Sequence, residues 1–421
     1  MIKEIPYIES LPSDWNVIPN RYLFYYDGKK VGDEHAQYQL LSLTTAGVKK
    51  RDINATGGKV PTSYDNYQTV KKGQMVFCLF DLDCSAVFSG ISEYDGMITS
   101  AYDVFSTSDK MDTRYADYWF KYVFSNRYYK MYSKNIRYTI TGDMFRALKT
   151  PVPPLEVQKK ISSLLHNQEQ KIDNLIANVQ AQIEKLKAYK QSLITEVVTK
   201  GLDPNAPMKD SELPWFGLIP QHWKLAKIKM YATTCSGGTP PSGDMSYYNG
   251  KINWVCSYDL CEKEIEETEK TLSDKGAEHI AGTLQLPNSI LVAMYGGAGT
   301  IGNSGLLKCY ARTNQAICSI HFDEAVVEPK FAFYQTMFIR RYWMFFAVGT
   351  RKDPNISQDI VRNMKYVIPP IQEQTAIATY LDAKCSQIDQ LISLKESKIE
   401  KLQQYKRSLI YEYVTGKKEV V

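Results

Sequence analysis

The sequence predicts an α+β protein: two mixed α/β heads separated by two long helices that form an antiparallel coiled coil with a pseudo-twofold internal repeat. Three observations predict it. The chain repeats its own plan, each copy ends in a long segment with a heptad stripe, and the segments between carry strand-and-turn patterning.

The repeat comes first. Pro153-Pro154-Leu-Glu-Val-Gln158 returns as Pro369-Pro370-Ile-Gln-Glu-Gln374, an offset of 216 residues. Without a gap, the same offset aligns Ile172-Asp173 with Ile388-Asp389, Ile183-Glu-Lys-Leu186 with Ile399-Glu-Lys-Leu402, and Tyr189-Lys190 with Tyr405-Lys406. It closes with Ser192-Leu-Ile194 against Ser408-Leu-Ile410. Of the 47 positions from Pro153 to Thr199, 21 are identical to their partners, which marks a duplication. A shorter repeat opens each half: Leu11-Pro-Ser-Asp-Trp15 answers Ile219-Pro-Gln-His-Trp223 at an offset of 208.

The long segments read as helices. No Pro or Gly occurs from Leu155 to Thr199, and Leu165, Ile172, Val179, Leu186 and Leu193 fall at seven-residue spacing. Ile161, Leu175, Ile176, Ile183 and Val197 broaden that face. The second copy repeats the seam with Leu381, Ile388, Leu402 and Leu409, with Lys395 interrupting it opposite Val179. Pro154 suits the first helical turn and Gly201 the stop. One such helix cannot bury its stripe alone. Two from one chain cover each other, and duplicated halves related by a pseudo-twofold make them antiparallel.

The predicted organisation follows: a first head over 1–152, helical region 153–201, linker and second opening motif 202–225, a second head over 226–368, and helical region 369–417. Within the heads, Gly73–Phe80 and Pro287–Met294 read as turns feeding buried strands, and Thr56-Gly-Gly58 and Ser236–Pro241 as surface loops. Ile140-Thr-Gly-Asp143 with Arg146 and Lys149 matches Ile356-Ser-Gln-Asp359 with Arg362 and Lys365, so both heads close alike.

Charge distribution says more than its sum, which is +5. No acidic residue lies between Asp117 and Asp143, yet Lys121, Arg127, Lys130, Lys134 and Arg137 do, among nine aromatics. The stretch from Pro329 to Lys352 is also acid-free and holds Lys330, Arg340, Arg341, Arg351 and Lys352. Cations free of acids suit a phosphate-tracking surface, while the aromatics interleaved with them suit a core. The exposed tips around Arg127–Lys134 and Gly349–Lys352 are the DNA-binding candidates, with Lys49-Lys50-Arg51 a further basic tip.

Composition bounds the rest. At 421 residues, with 44% hydrophobic and 23% charged, the chain is globular and long enough for at least two domains. It has no apolar run near the ~20 residues a bilayer requires, and its start lacks a secretory core, so a cytoplasmic location is expected. The eight cysteines form no Cys-x-x-Cys pair and the five histidines are scattered, so no metal site is expected, and the thiols read as buried and reduced.

Catalytic motifs were weighed. Gly297-Ala-Gly-Thr-Ile-Gly302 matches a dinucleotide-binding pattern, but Asn303-Ser-Gly305 and a strand-like run follow where a helix is required, so a tight turn is expected. No phosphate-binding Gly-Lys-Ser/Thr loop and no Asn/Asp-Pro-Pro-Tyr methyltransferase motif occurs. Glu396-Ser-Lys398 lies on a rod and reads as a solvated face. No catalytic residues are assigned. A methyltransferase or nuclease with unrecognised residues, and a purely structural coiled-coil adaptor, remain the competing classes.

These residues resemble the specificity subunits of type I restriction–modification systems. The resemblance rests on Pro-Pro-x-x-x-Gln with Ile-Asp-x-Leu-Ile and Tyr-Lys-x-Ser-Leu-Ile, which together occur twice, and on Ser236-Gly-Gly-Thr-Pro240, Trp254 with Asp259, and Asn314-Gln-Ala-Ile317. The first head departs from that loop pattern. The resemblance implies that the heads are target recognition domains for double-stranded DNA, with Thr239 and Lys251 added to the DNA-binding candidates. It further implies two modification subunits docked on the helices and restriction subunits reached through them. S-adenosylmethionine, ATP and Mg would be bound by those partners and no cofactor by this chain.

Overall fold

The computed structural model describes residues 5–45, 47–52, 63–85, 87–133, 138–296, 299–349 and 354–420. The Thr56-Gly-Gly58 loop and the basic positions Lys134, Arg137, Arg351 and Lys352 lie outside the described residues. By packing, the chain divides into two compact units: Met1–Gln180 with Glu396–Val421, and Ala181–Lys395. The division runs through the two long helices, Leu155–Lys200 and Ile371–Val414. Each unit therefore holds one head, the start of one helix and the end of the other.

Within each unit the two helix segments run antiparallel. In the first, Ile161 and Leu165 share a core with Leu409 and Ile410, while Asp173, further along, pairs with Lys406 at 2.9 Å. In the second, the Lys395 ammonium donates to Gln182 Oε1 at 2.5 Å and Lys190 pairs with Asp389 at 2.6 Å. The two ion pairs are repeat equivalents: the Asp of each Ile-Asp motif meets the Lys of the other copy's Tyr-Lys motif.

The heptad seam is largely buried. Leu165, Ile172, Val179, Leu193, Leu381, Ile388 and Leu409 are buried, and Leu186 and Leu402 half-buried. Leu175 departs from expectation and is exposed. Two-helix packing covers a narrower stripe than packing against a globule, so the flanking position of the heptad faces water. Lys395, the interruption, is spent on Gln182.

Both heads are built on one plan. The first has an antiparallel sheet in the order Phe24–Tyr26, Asp103–Thr107, Met75–Phe77, Ser89–Ile91. The second repeats it as Ala232–Ser236, Ile317–Phe322, Ile290–Ala293, Ser304–Leu307, and adds Lys263–Ile265 parallel to the last strand. The opening motif of each half leads into a strand that pairs antiparallel with the strand closing its head: Asn16–Pro19 with Lys149–Val152, and Lys224–Lys227 with Lys365–Ile368. One helix packs on each sheet, Thr113–Ser125 and Pro329–Ile339.

Those head helices are rich in aromatics. Tyr115, Tyr118, Trp119, Phe120 and Tyr122 are buried in the first head, and Phe331, Phe333, Tyr334 and Phe338 in the second. Each head core is continuous with the helix segments of its unit. The core reading of the aromatics holds for these positions. Phe345 is an exception and is exposed.

A buried glutamine explains the Pro-Pro-x-x-x-Gln motif. Gln158 Oε1 accepts from the Asp112 N–H at 2.8 Å, and its Nε2 donates to the carbonyls of Lys110 (2.9 Å) and Pro153 (2.8 Å). Gln374 repeats all three bonds with Glu328, Val326 and Pro369, at 2.9, 2.9 and 2.8 Å. Asp112 and Glu328 are the residues that cap the two head helices. One side chain thus ties the head-helix N-terminus to the start of the long helix, with its hydrogen-bonding capacity spent inside.

The cysteines depart in part from expectation. All eight are free thiols, but only Cys78, Cys256, Cys318 and Cys385 are buried, whereas Cys84 and Cys261 are exposed. The decoy Gly297–Gly302 segment leads into the strand Ser304–Leu307 and not a helix, with Gly302 in the left-handed region. Residues 297 and 298 lie outside the described residues. No described helix is long and apolar enough to cross a membrane.

Candidate nucleic-acid interface

In the first head the acid-free stretch begins with the head helix, capped where Asp112 accepts from the Tyr115 N–H at 2.8 Å. The helix ends at Ser125, and Arg127 turns the chain through the left-handed region into the short helix Tyr128–Met131. Asp83, from the loop after the strand Met75–Phe77, gathers this corner. Lys130 meets it at 3.0 Å, Arg127 at 3.7 Å, and the Tyr129 hydroxyl donates to it at 3.2 Å. The Lys130 hydrogen bond and the neighbouring charges hold the Asp83 carboxyl below its usual range. Two cations on one carboxylate leave a net positive corner, and Lys130 also lies 4.3 Å from the Tyr138 ring.

Lys49 and Lys50 end the strand Gly47–Lys50 and are exposed, and Arg51 follows them half-buried. Lys50 rests over Tyr94 at 4.8 Å. Lys49 lines a cavity of about 380 Å³ shared with Arg114, Lys121, His166, Glu169 and Lys406. It therefore faces the helices of its unit and is not joined to the Arg127–Lys130 corner.

In the second head Arg340 and Arg341 diverge. Arg340 pairs with Glu262 at 2.5 Å. Arg341 lies 5.1 Å from the Tyr342 ring, and its guanidinium donates to Thr195 Oγ1, on the long helix, at 3.5 Å. Lys251 is exposed on the strand Tyr248–Val255. Thr239 is exposed in a loop that the sequence singled out, and the three motif segments of this head converge there.

That convergence is tight. A Cβ on Gly237 would lie 1.7 Å from the Thr313 carbonyl oxygen, so only glycine fits. The Gly238 N–H donates to the same carbonyl at 3.0 Å, and Trp254 Nε1 donates to the Gly238 carbonyl at 3.2 Å. The Tyr248 hydroxyl donates to the Pro240 carbonyl at 2.7 Å. Asp259 accepts from the Cys256 N–H at 2.8 Å, and the Asn314 N–H donates to the Val255 carbonyl at 3.0 Å. Ser236–Pro240, Trp254 with Asp259, and Asn314–Ile317 are one packed corner.

A profile for the type I restriction modification DNA specificity domain matches residues 220–404, the span that contains this corner. The chain is 25% identical over 288 residues to the putative type I restriction enzyme MjaX specificity subunit of Methanocaldococcus jannaschii, covering 66% of this chain and 61% of that one. It is 25% identical over 287 residues to the type I restriction enzyme MjaVIII specificity subunit of the same organism, covering 65% and 63%. The chain thus spans less than two thirds of the length of either relative. Over these spans the chain is similar to type I restriction–modification specificity subunits.

Solved structures agree in fold. A chain from a study of complex assembly and conformational transition of the type I R-M system superposes with a TM-score of 0.74 at 14% identity, covering 97% of this chain and 99% of that one. The HsdS subunit from Thermoanaerobacter tengcongensis gives 0.52 at 13% identity, with coverage of 98% and 99%.

The cations are legible in the sequence, but Asp83 and Glu262, which hold three of them, are not. Those acids lie far away in sequence, outside the acid-free windows. Gln315 was visible only as part of a motif. Among the described residues no group of three or more His, Cys, Asp or Glu gathers as a metal site.

Proposed function

We propose that this chain is the sequence-specific DNA-recognition subunit of a type I restriction–modification complex. Each head reads one half of an asymmetric two-part site on double-stranded DNA. One observation carries the reading: a single head plan occurs twice, with the same strand order and the same Gln latch, while the loops and tips differ. Scaffolds of one plan with unlike surfaces suit two unlike half-sites.

Positioning falls to the basic tips, Lys49, Lys50, Arg51, Arg127, Lys130, Lys134 and Arg137 in the first head and Lys251, Arg340, Arg341, Arg351 and Lys352 in the second. The helices set the gap between half-sites and dock two modification subunits on their outer faces. Support for docking comes from apolar side chains left in water. Leu175 and Tyr405 in the first unit are 48% and 54% exposed, and their repeat equivalents Leu391 and Tyr189 in the second are 47% and 57%. Leu394 is 68% exposed. Such a row on a helix pair suits a partner helix.

Methylation and cleavage belong, in this reading, to the partners: S-adenosylmethionine is bound by the modification subunits, and ATP and Mg serve the restriction subunits in the cytoplasm. Sequencing methylated bases in cells carrying this chain with its modification subunit tests the proposal. A two-part asymmetric target is expected, and random methylation overturns it. Methylation by the purified chain alone would make it an enzyme, and failure to footprint DNA beside the modification subunit would leave only an adaptor. Deleting one heptad from both helices removes about 10 Å of rod, so the gap between half-sites should change. An unchanged gap refutes the spacing role.

A further inference from the structure

Gln315 stands at the surface of the packed corner in the second head, and its bonds limit what it offers outward. The Thr239 hydroxyl donates to Gln315 Oε1. Burial pushes the Tyr295 hydroxyl up, and the Gln315 amide facing it acts in the opposite direction. Tyr295 is also bridged through its backbone to Asn355, in the antiparallel strand pair Val348–Gly349 and Pro354–Asn355. Three neutral polar side chains from three separate loops therefore form one polar row.

The row is held rigidly. Gly237 is pressed on Thr313, the Gly238 N–H donates to the Thr313 carbonyl, and the Asn314 backbone is tied to Val255. The nearest arginine of this corner, Arg312, is spent on the carbonyls of Gly282 and Ala277, each at 2.5 Å. Thr239 and Gln315 are exposed, so the row is open to solvent on one side.

Bidentate reading of adenine by glutamine requires a carbonyl acceptor and an amide donor presented together. Here the carbonyl already accepts from Thr239, and the amide faces Tyr295. With the one Thr239 proton spent on that carbonyl, what remains to face a ligand is the second Gln315 amide N–H and the Tyr295 hydroxyl proton, both donors. An acceptor-only oxyanion is the complement of such a surface, and neutral Thr, Gln and Tyr side chains are ordinary partners of DNA phosphate. Resting on the DNA-recognition reading above, we propose that Gln315 and Tyr295, with Gln315 positioned by Thr239, form a neutral clamp on one backbone phosphate, fixing the register of the second head without reading a base.

A neutral clamp differs measurably from a basic one. Salt dependence counts the cations that displace counterions, so losing a neutral donor lowers affinity and leaves the slope against salt unchanged. The experiment uses the full chain assembled with its modification subunits and a duplex carrying the target found by methylated-base sequencing. Gln315→Ala is expected to weaken binding about tenfold on target and non-target duplexes alike, with the recognised bases and the salt slope unchanged. Tyr295→Phe, which removes one hydroxyl and no packing, is expected to act in the same direction by a few-fold. Thr239→Ser should retain wild-type affinity and Thr239→Val should not.

Relaxed recognition at a single base position would make Gln315 a base reader and overturn the clamp. Unchanged affinity in both Gln315→Ala and Tyr295→Phe, with wild-type melting temperatures, would reduce the row to loop architecture. If Gln315→Ala fails to fold, Tyr295→Phe and Thr239→Val decide. A wild-type complex with no preferred target would instead overturn the DNA-recognition reading itself.

Discussion

The two latch glutamines show how much one side chain organises. Gln158 and Gln374 are fully buried, and each satisfies a helix-cap N–H and two carbonyls. Gln374→Ala would strand those groups in the core, with an expected loss of about 2–3 kcal/mol in urea unfolding. Gln374→Glu is expected to do no better, because a carboxylate cannot donate to two carbonyls. Glu169 supplies a pH-dependent counterpart. Burial pushes its carboxyl up, but the Lys121 and Lys406 ammonium groups outweigh that and hold it below the usual carboxylate range. Its contribution is therefore present above the ordinary carboxylate pKa and lost as pH falls through the lowered one. Comparing urea unfolding of Glu169→Gln and wild type checks this: the difference should be largest near about pH 6 and vanish in strong acid. A constant difference would refute it. The latch was legible in the sequence only as an identity between copies; its partners were not, because backbone groups carry no residue label.

At the scale of elements, spacing predicted the seam and burial ranked its members. Leu381 is fully buried, so Leu381→Ala should cost about 2–5 kcal/mol, as for other core leucines cut to alanine. Leu391 is exposed, and Leu391→Ala should stay within about 0.5 kcal/mol in the isolated chain. If both variants lose equally, the seam lies elsewhere. The repeat-equivalent pairs Lys190–Asp389 and Lys406–Asp173 add register more than energy, since exposed ion pairs contribute little. The basic stretches were legible as composition, yet their use was not. Arg127 and Lys130 gather on Asp83, Arg340 on Glu262, and Arg341 turns to the long helix. Linear windows free of acid say nothing about acids brought in by other loops.

For the whole molecule, the exchange of helix ends has a consequence for covalent continuity. Each compact unit contains chain from both halves, and the linker residues Leu202–Asn205 are exposed. A single proteolytic cut there should leave two fragments that co-elute by size exclusion and separate only in denaturant. Fragments that part in native buffer would show that the helix pairing is weak. The Gly at each helix end belongs to the same exchange. Gly201 and Gly416 sit in the left-handed region with Trp223 and Trp15 close by, so each opening motif packs on the end of the other copy's helix. By itself the sequence determined the duplication, the two long helices with their seam, the strand-and-turn character of the heads and the resemblance to type I specificity subunits. These follow from periodicity and identity, which are properties of the chain read in order. Tertiary structure decided which cations remain free to meet an anion, which apolar residues stay in water, and that Thr239, Gln315 and Tyr295 stand together. Those depend on segments tens of residues apart meeting at one corner, and no local spacing encodes such a meeting.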